Sequence, residues 1–195
     1  LPLLSYDDTD AADPAEFIET LTDHLTHRDL AAVATATIHA GESAGADGAG
    51  ESDSAEYAGA DADSPAKPPH VPTLDAWNAW DRGLRNALVR LRAGARSADP
   101  AEYLRTDATG SEGADDLEVE AAAREAADHE SPLSGEDILD RARWSHLDDL
   151  EVGHFFDLER IVVYYLKLQI LARRRLFDRQ AGEERFESIT NAILN

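Results

Sequence analysis

Residues 161–171 (IVVYYLKLQIL) are apolar on almost every side, with only Lys167 and Gln169 interrupting the run. A helix of this kind has no face to give to water, so it has to run through the middle of the molecule with other elements packed around it. The periodicity elsewhere says what those elements are. Leu74, Trp77, Trp80, Leu84, Leu88 and Leu91 recur at steps of three and four over 73–96, and Phe17, Ile18, Leu21 and Leu25 do the same after Asp13-Pro14. No segment shows convincing period-two alternation, so strands are expected to be absent or confined to the extreme N-terminus. The fold class is therefore all-α, a bundle of long antiparallel helices near 73–96, 134–151 and 157–180.

The boundaries follow from caps and breakers. Asp13-Pro14 opens a helix over 15–27, and Asp29 is the expected cap of a second one through residue 40 that carries Leu30, Val33 and Ile38. Residues 1–40 thus form an N-terminal helical pair. Thr73 is placed to cap the 73–96 helix, and Asp99-Pro100 opens a short turn with Tyr103 and Leu104. Residues 116–129 are helical by propensity but weakly anchored. Ser131-Pro132 breaks the chain, Ser134 to Asp137 reads as a capping box, Gly153 ends the helix it starts, and Asp157 caps the next. Gly182 ends that one, and 183–194 forms a final helix with Phe186, Ile189 and Ile193 inward.

Two stretches fit no helix. Residues 41–72 are almost entirely Gly, Ala, Ser, Asp, Glu and Pro, and 106–116 are similar. Neither holds enough apolar surface to offset the entropy of ordering it, so both read as disordered acidic insertions. The main bundle is then 73–195, and the whole reads as one structural domain.

Charge narrows the function. Asp and Glu number 40 against 18 Lys and Arg, a net charge of -22, and only Lys67 and Lys167 are lysines. Phosphate binding needs a basic surface, so nucleic acid is excluded as the default partner. Acid spread through every segment, with arginine kept and lysine nearly gone, reads as a halophile's solvated surface. The absence of cysteine removes disulfides, thiolate metal sites and a cysteine nucleophile. The apolar run is shorter than the roughly 20 residues a bilayer span needs, so no direct membrane span is expected. No basic, apolar, small-residue signal opens the sequence, which points to a cytoplasmic chain. It starts at Leu1 without Met, so native sequence is expected to precede it.

Chemistry is hard to find along the chain. The best metal candidate is His146, Asp148, Asp149, Glu151 and His154, in which Glu151 and His154 form a Glu-x-x-His step of the sort that ligates di-iron bundles. A second such step is missing and Gly153 sits inside the first. His24 and His27 could share a helical face but lack a third ligand nearby. Trp77 and Trp80 read as core before they read as a ligand platform. No phosphate loop and no Gly-x-Ser-x-Gly occur, and no cofactor is expected. The arginines are left as candidates for partner binding: Arg82, Arg85 and Arg92 on one helix, and Arg173, Arg174 and Arg175, with Arg179, at the end of another, where the helix dipole is a sufficient structural reason for them.

Several stretches resemble a bacterial family of unknown function whose genes lie within V-type ATPase operons, where other organisms encode the C subunit of the rotary machine. They are Leu1-Pro2-Leu3-Leu4-Ser5-Tyr6, residues 77–91 (WNAWDRGLRNALVRL), 138–144 (ILDRARW), His154-Phe155-Phe156-Asp157 and 165–171 (YLKLQIL). The C-terminal half, through ILDRARWSHLDDL, is also similar to the C subunit, an all-helical protein without an active site that links the central shaft to the membrane ring. The resemblance implies a non-catalytic accessory or assembly partner of a V-type ATPase or ATP synthase, in contact with V-type ATPase subunits of shaft or ring and peripheral at the inner face of the cell membrane. A metal-dependent helical enzyme and a stand-alone homo-oligomeric scaffold are the alternatives.

Overall fold

The structure is a computed structural model that describes residues 1–38, 68–114 and 117–176. The expected helix over 183–194, Arg179 and most of the 41–72 insertion lie outside the described residues. Among those residues the chain is all helical: α1 (Pro14–Leu21), α2 (His27–Thr35), α3 (Pro72–Ala95), a 3-10 turn (Pro100–Glu102), α4 (Leu117–Asp128), α5 (Pro132–Glu151) and α6 (Leu158–Leu176).

α6 takes the central place its sequence demands. It packs against α1, α2, α3 and α5, and Val162, Val163, Tyr164, Leu166, Leu168, Ile170 and Leu171 are all buried. Asp157 accepts a hydrogen bond from the Arg160 amide at 3.1 Å, so the expected cap is in place. Lys167 and Gln169, the two polar interruptions, each meet a specific partner. Gln169 donates to the Ala36 carbonyl at 2.9 Å and accepts from the Ile38 amide at 3.2 Å, while Lys167 reaches Asp148 at 2.6 Å and Glu151.

α5 runs antiparallel to α3 and to α6. Along the first pair Trp80 stacks on His146 and Asp81 meets Arg143; along the second Asp148 meets Lys167 and Asp140 meets Arg173. α3 and α6 therefore begin at the same end of the bundle. There the Thr73 amide donates to the Glu159 carboxylate at 3.0 Å. This corrects the expectation that Thr73 caps α3: the helix starts at Pro72 with no side-chain cap on Val71, and one of its orphan amides is satisfied from α6 instead.

Other boundaries move for equally physical reasons. α1 stops at Leu21, and α2 is capped by the Thr26 hydroxyl, which accepts from the Asp29 amide at 3.2 Å, not by Asp29. α2 ends at Thr35 rather than at residue 40 because Gln169, Trp77 and Arg85 take the carbonyls of Ala36, Thr37 and Ile38, which holds the strand-like segment open. Ser131-Pro132 begins α5 instead of breaking the chain: Ser131 caps it and Pro132 fills the first helical position. Gly153 adopts φ +91° just past α5 and lets the chain turn into α6, as expected of a residue after a helix end.

Two expectations of looseness fail. α4 is anchored, with Val119 and Ala123 buried between α3 and α5. Residues 106–114 are likewise built onto α3. Asn86, fully buried, donates to the carbonyls of Arg105 and Glu112 at 2.8 Å each and accepts from the Arg105 amide at 2.9 Å. Gly113, at φ +98°, and Gly83 face one another across this contact so closely that a Cβ on Gly83 would lie 2.1 Å from the Ala114 carbonyl oxygen.

Candidate functional site

Charged residues enter the helix interfaces in an unbroken series. Asp81 on α3 is completely buried and accepts from Arg85 at 2.7 Å and from Arg143 of α5 at 3.3 Å. Arg143 turns its other nitrogen to Asp140 at 2.9 Å. Asp140 accepts from Arg173 of α6 at 3.2 Å, and Arg173 also reaches Glu136 at 3.0 Å. Burial opposes the Arg173 charge, but Asp140 and Glu136 hold its guanidinium above the ordinary value. Buried charges persist when each is paired and hydrogen-bonded. Here three arginines and three carboxylates alternate from α3 through α5 to α6.

A second cluster fixes the N-terminal segment. The Tyr6 ring lies between Arg174, 3.7 Å from its centroid, and Arg141 at 4.5 Å, and it meets Trp144 edge-on. Its hydroxyl donates to Asp137 at 2.9 Å. Burial first, and then this hydrogen bond, push the Tyr6 phenol well above its usual value. Burial also pushes the Asp137 carboxyl up, but hydrogen bonds from Arg141 and Tyr6 and the charge of Arg174 bring it to rest below its ordinary value.

The third cluster sits at the α5–α6 turn. Lys167, buried under the turn, pairs with Asp148 and Glu151, and Arg160 pairs with Glu151 from the other side. His154 and Asp157 are joined at 2.7 Å, and that hydrogen bond holds the Asp157 carboxyl below its ordinary value. Above them opens a groove of about 550 Å³ lined by Leu1, Val152, Phe155 and Phe156 together with Asp148, Glu151, His154 and Arg160. Phe155 is 74% exposed and Phe156 fully so.

Five of the six candidate arginines are engaged by the chain itself. Arg82 pairs with Asp107 at 3.0 Å, Arg85 and Arg173 belong to the buried series, Arg174 binds the Tyr6 carbonyl and Arg175 the Ala11 carbonyl. Arg92 is exposed and makes no ion pair with a described residue. The metal candidates are dispersed. His146 stacks on Trp80 at 4.5 Å, Glu151 is held by Lys167 and Arg160, and Gly153 turns the chain so that Glu151 and His154 share no helical face. His24 lies in the turn after α1, which stops at Leu21, and His27 begins α2, so the two share no helical face. Among the described residues no three His, Asp or Glu are grouped to hold a metal ion. Trp77 and Trp80 are core residues, and Trp77 donates its indole N–H to the Thr37 carbonyl at 3.0 Å. No helix among the described residues is long and apolar enough to cross a membrane.

Sequence reasoning passed over Asp81, Asp140 and Arg143, although each lies on an apolar stripe: Asp81 four residues after Trp77 and three before Leu84, Arg143 four after Leu139 and four before Leu147. A charge on a buried stripe is the signal that finds them. Phe155 and Phe156, quoted only as part of a family resemblance, carry a second one: adjacent aromatics in a turn have no helical face to hide both rings.

No curated protein and no solved structure matches the chain. A family model described as a protein of unknown function, DUF2764, matches residues 73–195. That match takes in α3 to α6, the buried ionic series and the α5–α6 turn, and by it the chain belongs to the DUF2764 family.

Proposed function

We propose that the chain is a non-catalytic helical component that acts through contacts with other proteins, as an accessory or assembly partner of a V-type ATPase or ATP synthase. The observation that carries this reading is the interhelical ionic series Arg85–Asp81–Arg143–Asp140–Arg173–Glu136, buried at Asp81, Arg143 and Asp140. Each charge in it is answered by another from the same chain, so the series serves to lock α3, α5 and α6 in one register. A body braced in this way is suited to holding two partners at a fixed separation or to passing torque between them. The resemblance of the 77–91, 138–144 and 165–171 blocks to a family encoded in V-type ATPase operons supplies the partner, a subunit of the central shaft or of the membrane ring. The acidic surface fits a cytoplasmic location in a salt-rich cell, with the chain peripheral to the membrane through the complex.

The test is depletion of the chain in its native cells. Loss of membrane-bound V-type ATPase activity together with loss of assembled peripheral subunits is expected, with recovery on re-expression. Unchanged ATPase assembly would overturn the reading. Arg85→Glu and Arg174→Glu are poor probes of docking, since both arginines hold the fold together; Arg92→Glu is the usable variant among the six.

A further inference from the structure

We propose that the groove at the α5–α6 turn is a docking site for a basic amphipathic helix of a partner protein, with Phe155 and Phe156 as its anchors. The inference rests on the reading that this chain works through protein contacts, and it names the surface and the chemistry of what binds there.

Three observations on the groove converge. Val152, Phe155 and Phe156 stand exposed beside one another on a single turn, while the tryptophans, Trp77, Trp80 and Trp144, are buried. Side chains of this size left in water next to one another mark an interaction surface rather than a solvated turn. The turn is also rigid underneath, because Asp148 and Glu151 of α5 are tied to Lys167 and Arg160 of α6 directly below it. The anchors are therefore presented by a fixed platform, which lowers the ordering cost of binding.

Charge selects the occupant. Arg160 lines the groove and Lys167 lies buried beneath it, and both are paired with carboxylates of α5, Arg160 with Glu151 and Lys167 with Asp148 and Glu151. The solvent-facing side of the groove carries Asp148, more than half exposed, with the half-exposed Asp157 joined to His154 of the lining, and the C-terminal end of α5 adds the negative end of its dipole. An apolar floor with an acidic rim fits a helix with an apolar stripe flanked by Lys or Arg. The same rim repels an anionic lipid surface, which sets a protein helix above a membrane as the occupant.

The experiment uses the full chain and two synthetic peptides of one Leu/Lys composition, one with Leu at helical period and one with the order permuted so that no apolar face forms. Binding is read by fluorescence anisotropy at low and high salt. The periodic peptide is expected to bind, and to lose roughly tenfold or more in affinity in the Phe155→Ser/Phe156→Ser variant, with the thermal midpoint unchanged. Equal binding of both peptides, or indifference to the double variant, would overturn the proposal by showing charge attraction alone. A dimer of the chain that the double variant dissociates while neither peptide binds would overturn it in favour of a second copy, and Phe-dependent binding to phosphatidylcholine vesicles would overturn it in favour of lipid. None of these results depends on whether the chain touches an ATPase.

Discussion

Asp81 is the residue on which most of the interior depends. It has no exposed surface and answers two arginines from different helices, so its loss leaves Arg143 buried without half of its compensation. Breaking one partner of such a pair costs about 3–5 kcal/mol. Asp81→Asn, which keeps the shape and removes the charge, is expected to lower stability by that order in a urea titration, whereas Arg124→Ala, at its exposed pair with Glu120, should cost well under about 1 kcal/mol. Gly83 depends on space rather than charge. With the Ala114 carbonyl where its Cβ would be, Gly83→Ala has to push the 106–114 segment off α3, at a cost of about 1–3 kcal/mol. Both positions were half legible in the sequence. The pattern around Asp81 marks it as an inward charge, but its partner across the helix interface, Arg143, lies 62 positions away, and no periodicity reports which distant side chain will face it.

At the scale of elements, the helices were readable and their ends were not. α6 and α3 follow from apolar period alone, since burial is a property of the helix's own stripe. The end of α2 depends on Trp77, Arg85 and Gln169, which take the carbonyls of the three residues just past it from two other helices, and that information is not local. The 106–114 segment shows the same limit. Its composition lacks apolar residues, and it is held by polar groups of α3 instead, chiefly Asn86. Asn86→Ala leaves the Arg105 amide and the Arg105 and Glu112 carbonyls without their partner, and a loss of about 1–3 kcal/mol is expected, with hydrogen exchange at the Arg105 amide rising first. The N-terminal segment depends on the Tyr6 clamp, and acid should release it. Because the Asp137 carboxyl lies below its ordinary value of 3.8 in the folded chain, its contribution is fully present above about pH 4 and is lost as pH falls through the lower folded value. The difference in thermal midpoint between the parent and Tyr6→Phe is thus expected to stay constant from neutrality to about pH 4 and to shrink below it.

For the molecule as a whole, a net charge of -22 on 195 residues sets self-repulsion against a core that holds its own charges in pairs. The repulsion acts through solvent and is screened by salt, whereas the buried Asp81–Arg143–Asp140 centre of the series is shielded from it. Raising the salt from about 0.1 M to about 1 M cuts the screening length from about 10 Å to about 3 Å, so the thermal midpoint is expected to rise, and the deficit of Asp81→Asn relative to the parent is expected to persist unchanged. The central claim concerns partners: a braced helical body, with one apolar, acid-rimmed groove at the α5–α6 turn, works by holding on to other proteins. Retrieval of the tagged chain from its own cells in high-salt buffer, with the co-purifying proteins identified by mass spectrometry, tests this most directly. Stoichiometric V-type ATPase subunits are the predicted result; the chain recovered alone would contradict it.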